Sequence, residues 1–138
     1  MLGKHMIKSW SANQAVIALS SGEAEYYAMV KGGSVGLGVQ GMLEDFGIKC
    51  NVVIKTDSSA AKGISSRRGL GKIRHIELCE LWLQEKVAEE KIKVIKIPGI
   101  ENISDCLTKA AGRESLALHM LETNQKVASG RHQLMPVL

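Results

Sequence analysis

"IKTDSSAAKGIS", residues 54–65, is the stretch on which the fold turns. With Val52 and Val53 ahead of it, it makes a β-branched run that closes on a carboxylate, Asp57, and passes at once into small residues suited to a helix start. Two readings are open for that acid. It caps the helix that follows, or it stands at a strand tip where a cation can meet it.

The neighbouring segments alternate in the same way. "HMIKSW" (5–10) and "AVIALS" (15–20) read as one interrupted extended segment, and "EAEYYAMVKGGSVGLGVQGMLEDFG" (23–47) reads as a long helix. "NVVIKTD" (51–57) is a strand and "SSAAKGISS" (58–66) a short helix. In "RHIELCELWLQEKVAEE" (74–90), Ile76, Cys79, Leu83 and Val87 share a helical stripe; "KIKVIKI" (91–97) is a strand that stops at Pro98-Gly99, and a further helix starts near Asn102. This order predicts an α/β domain of three strands with some parallel pairing.

Composition sets the class. The 138 residues suit one domain, and 45% hydrophobic with 23% charged is ordinary for a globule. No stretch is long and apolar enough for a bilayer span and "MLGKHMIKSW" lacks a signal-peptide core, so an intracellular setting, cytosolic or nuclear, is the expectation. The three cysteines are odd in number and lack zinc spacing, which predicts reduced thiols. A net charge of +4 permits an anionic partner without requiring one.

Within the long helix, Ala24, Ala28, Val35, Val39, Met42 and Phe46 fall in a sector of about 60°, the expected buried face. Glu25 lies about 70° from its middle and Glu23 about 130°, which predicts Glu25 at the border of the core and Glu23 in solvent. Glycines 32, 33, 36, 38 and 41 each cost roughly 0.8–1 kcal/mol against alanine, so a weak or broken helix is expected.

Glu25, Asp57 and Asp105 thus stand at element ends, Asp105 in a first helical turn if Asn102 is the cap. Each has a plain structural use, as a cap or as a partner of a helix dipole. Together they are the residue types that hold hard divalent cations, and a pair of magnesium ions ~4 Å apart can drive phosphodiester hydrolysis.

Four segments, "SSGEAEYYAM", "IKTDSSAAKGI", "GKIRHIELCELWLQEKV" and "IPGIENISDCLTKA", together resemble the ribonuclease H domain at the end of the Pol polyprotein of copia-type retrotransposons. The resemblance runs over residues 1–111; residues 112–138 are expected to form a tail, partly helical or disordered. It implies two-metal hydrolysis of the RNA strand of RNA–DNA hybrids, with Glu25, Asp57 and Asp105 as catalytic metal ligands for Mg2+ and Glu23 as the alternative to Glu25. A reverse transcriptase domain of the same polyprotein is implied upstream. The family's mixed sheet has a central first strand bearing a further, metal-bridging aspartate. This chain is expected to lack that strand and most of the second, and with them a competent metal centre.

"RRGLGKIR" places Arg67, Arg68, Lys72 and Arg74 within eight residues without an acid, followed by His75. One reading is a solvated basic loop; the other, which the resemblance favours, is contact with the backbone of an RNA–DNA hybrid. Only 4% of the residues are aromatic, which argues against a base-stacking module. Three functions fit the sequence: a metal-dependent ribonuclease H domain, a non-catalytic nucleic-acid-binding remnant, or a decayed retroelement fragment.

Overall fold

Four of the five residues of β1 (Val52–Thr56) are β-branched, and the strand buries its end, Thr56, while turning Val53 and Lys55 outward. In the computed structural model, which describes residues 1–14, 17–71, 76, 78–127 and 130, β1 pairs in parallel with β2 (Ile92–Lys96). Val52 lies opposite Ile92 and Thr56 opposite Lys96. Parallel neighbours need a crossover of about a dozen residues or more. Here it carries α2 (Ser59–Ser65), a 3-10 turn at Leu78–Leu81 and α3 (Trp82–Ala88). The expected α/β class with parallel pairing is what the chain forms, with a small, open sheet.

The strand count differs from expectation. Residues 6–10 and 17–18 are not in strands, and the N-terminal stretch gives only an isolated antiparallel bridge between Leu2 and His5. Among the described residues the sheet holds two strands, not three. An apolar run becomes a strand only where a partner takes up its backbone groups.

α1 (Ser21–Asp45) is continuous, so of the weak or broken helix expected the break does not occur. Two of its glycines lie where neighbours come closest. A Cβ on Gly36 would stand 2.7 Å from Val52 Cγ1, and one on Gly22 would stand 2.7 Å from Ala60 Cβ, so the missing side chains let α1 sit directly on β1 and α2. The helix ends in a Schellman motif: Ile48 N–H donates to Leu43 O, Gly47 N–H donates to Glu44 O, and Gly47 takes φ +78°.

The buried face of α1 is also corrected. Tyr26, Met29, Val30 and Gly33 face inward, about 160° round the helix from the sector chosen on hydrophobicity. Met42 and Phe46, expected in the core, are 52% and 76% exposed. Apolarity favoured Ala and Val over Gly, yet the sheet is approached by the glycine side. The core formed there comprises Tyr26, Met29, Val30, Ala61, Ile64, Ile76, Leu83 and Ile92, with Trp82, Val52 and Val94 packed against it.

The chain divides into two units, Ala12–Asn102 and a second made of Met1–Ser11 with Ile103–Leu138. In the second, a 3-10 turn (Ile103–Leu107) precedes α4 (Arg113–Glu122), and buried His119 links them through Nδ1, 2.9 Å from Ile103 O. The helix expected to start near Asn102 forms as the 3-10 turn Ile103–Leu107, with Asp105 in its first turn, and not as an α-helix. Asn102 N–H donates to Gly99 O and closes a preceding 3-10 turn, Gly99–Glu101.

Candidate functional site

The junction after β1 is built by its hydroxyl residues. Thr56 Oγ1 accepts from Ser58 N–H at 3.1 Å, and Ser58 Oγ accepts from Ala61 N–H at 3.1 Å, so Ser58 is the N-cap of α2. Ile97 N–H donates to Thr56 O at 2.9 Å, which pins the strand end to the continuation of β2. Asp57 is therefore not the cap. Its half-buried carboxylate stands beside the corner that follows β2, where a Cβ on Gly99 would lie 3.6 Å from Asp57 Oδ2.

The two early glutamates of α1, Glu23 and Glu25, exchange the places expected of them. Glu23 is 4% exposed and Glu25 is exposed. The cause is a capping arrangement: Glu23 N–H donates to Ser20 Oγ at 3.2 Å while Glu23 Oε2 accepts from Leu19 N–H at 2.9 Å. The Ser20-x-x-Glu23 spacing carried that signal, and a phase argument over the whole helix overlooked it. Between them Tyr26 is fully buried and donates to Glu80 O at 2.9 Å. Burial, then the nearby Glu80 carboxylate, pushes the Tyr26 hydroxyl up to about 12.

Asp105 lies in the other unit, in a 3-10 turn rather than an α-helix, with Oδ2 2.7 Å from Lys109 Nζ. Among the described residues no three His, Cys, Asp or Glu side chains gather as a metal-ligand group. Cys50 and Cys106 are free thiols.

The basic loop is half described. Lys72, Arg74 and His75 lie outside the described residues. Of the rest, Arg67 is half-buried, with Nη2 donating to Leu70 O at 2.7 Å and its guanidinium against Gly71, where a Cβ would come within 2.9 Å of Cζ. Arg68 is exposed. Gly69 and Gly71, at φ +75° and +61°, let the chain turn between them. Gln84 of α3, 6% exposed, meets this loop: Nε2 donates to Ile64 O at 2.9 Å and to Gly69 O at 3.1 Å, and Oε1 accepts from Gly69 N–H at 2.8 Å. Nothing in the sequence singled out Gln84, a polar residue beside the apolar stripe of its helix.

A parallel β–α–β unit with an acid at the strand tip and an arginine loop beside α3 defines a small α/β domain. The chain is similar to the retrovirus-related Pol polyprotein from transposon TNT 1-94 of Nicotiana tabacum, with 33% identity over 113 residues. The match takes in 80% of this chain and 8% of that polyprotein, so the chain spans a small fraction of its relative's length. It is related to a transposon Pol polyprotein. No family model matches the chain, and no solved structure matches it significantly.

Proposed function

We propose that the chain is a ribonuclease H-like segment of a retrotransposon Pol polyprotein that holds the phosphate backbone of an RNA–DNA hybrid. The observation that carries this reading is the arginine loop: an exposed Arg68 on a turn fixed from inside by Gln84, in a chain of net charge +4 related to a Pol polyprotein. Phosphate contacts position a nucleic acid without reading its sequence, and arginine suits them through its planar, permanently charged fork. Lys72, Arg74 and His75 extend the same basic run. In this reading Asp57 is the acid available at the strand tip, with Glu25 and Asp105 as the further ligands that the resemblance implies and Mg2+ as the ion they would take.

Fluorescence anisotropy of a labelled RNA–DNA hybrid titrated with the full chain tests the proposal. Saturable binding that weakens with salt is expected; no binding at low salt overturns it. The same mixture with magnesium, run beside Asp57→Asn, reads whether the RNA strand is cut and whether the cut needs that carboxylate.

A further inference from the structure

We propose that Gln84 is a positioning residue for the arginine loop: by fixing Gly69 it folds Arg67 inward as a brace and leaves Arg68 as the loop arginine that meets phosphate. The inference rests on the hybrid-binding reading for the ligand, and on the loop's own geometry for the division of labour.

Gln84 grips Gly69 by both backbone groups, as a neighbouring strand would, with Gly69 N–H to Oε1 at 2.8 Å and Nε2 to Gly69 O at 3.1 Å. Its second Nε2 contact, 2.9 Å to Ile64 O, ties that grip to α2. The amide is thus satisfied at both ends inside the protein, as a buried polar group requires. Leu70, the next residue, packs against the core. The loop is held on consecutive residues, from below by apolar contact and from the side by an amide.

With Gly69 and Leu70 placed, the two arginines part. Arg67 spends Nη2 on Leu70 O, its guanidinium fills the space over Gly71, its charge reaches the Tyr26 hydroxyl, and its Nε is buried without a hydrogen-bond partner. A guanidinium so placed has little left for a phosphate, which binds best through two parallel N–H donors. Arg68 is exposed and engaged in no ion pair among the described residues. A pre-set loop loses less freedom when it binds, so an arginine carried on it binds more tightly than the same residue on a slack chain.

The test has two readouts on the full chain. In the first, amide hydrogen exchange at Gly69 is followed beside the amides of β1. The wild-type Gly69 amide is expected to be protected, and Gln84→Met to speed its exchange about tenfold or more while the β1 amides keep their rates. An unprotected Gly69 in the wild-type chain, a measurement that needs no variant, overturns the clamp. So does equal acceleration throughout Gln84→Met, which would make Gln84 merely structural.

The second readout is the salt dependence of hybrid binding. Arg68→Ala is expected to flatten the slope of log Kobs against log salt by roughly 0.9, one phosphate contact, without lowering the melting temperature. Arg67→Ala is expected to leave that slope in place and to lower the melting temperature. The reverse pattern overturns the assignment of the arginines. If the wild-type chain shows no salt-dependent binding, the functional reading and Arg68's role fall together, and the clamp stands or falls on Gly69 alone.

Discussion

The two faces of α1 invert the usual relation between apolarity and burial. One carries Met42 and Phe46 and is open to solvent; the other carries Gly22, Gly33 and Gly36 beside Tyr26 and Met29 and forms the centre of the core. Distance of approach decides the difference. Glycines on the inner face bring the helix onto Val52 and Ala60, and the large side chains between them, Tyr26 and Met29, then bury fully. Apolar area stabilises only when something covers it.

That contrast can be broken or sharpened by substitution. The largest effect belongs to the inner face: Met29→Ala removes a buried side chain and should cost about 2–5 kcal/mol in chemical denaturation. Next comes Gly36→Val, which places branched carbon against Val52 and should cost about 1–3 kcal/mol, read in the same way.

Tyr26→Phe should lose about 1 kcal/mol near neutral pH with the hydrogen bond to Glu80 O. Tyr26 also gives the fold a pH limit. Its hydroxyl is raised from 10.0 to about 12 in the folded chain, so its stabilising effect is complete below pH 10 and is lost as pH rises to about 12. Thermal melts across that window should fall more steeply for the wild type than for Tyr26→Phe.

On the outer side, Gly38 has open space around it, and Gly38→Ala should raise stability by about 0.4–1 kcal/mol. Phe46→Ser should change it by no more than about 0.5 kcal/mol. A loss of several kcal/mol for Phe46→Ser, with little for Met29→Ala, would restore the face that hydrophobicity alone selects.

Two of the three expected strands, β1 and β2, were legible because β-branched runs closed by Asp57 and by Pro98 are local signals, and their parallel pairing followed from the alternation of strands and helices; the N-terminal strand did not form. The existence of α1 was legible from its length, but its bounds, expected at 23–47, fall at Ser21–Asp45, set by Ser20 at one end and Gly47 just past the other. What could not be read was tertiary. The face that α1 buries depends on what approaches it, and neither the grip of Gln84 on Gly69 nor the inward turn of Arg67 has a sequence signal. Glu23 was legible and was missed, since its spacing from Ser20 is a known helix start. Asp57 kept its expected position at the strand tip, but its release from capping rests on Ser58, one residue further on.

The measurement that bears most directly on the function is the affinity of the full chain for an RNA–DNA hybrid as salt is raised. A chain that holds the hybrid by its phosphates should give a straight fall of log Kobs with log salt, of slope roughly −1 or steeper. Affinity that is absent at low salt, or flat across the series, would contradict the reading of this segment as a backbone-binding part of a retrotransposon Pol polyprotein.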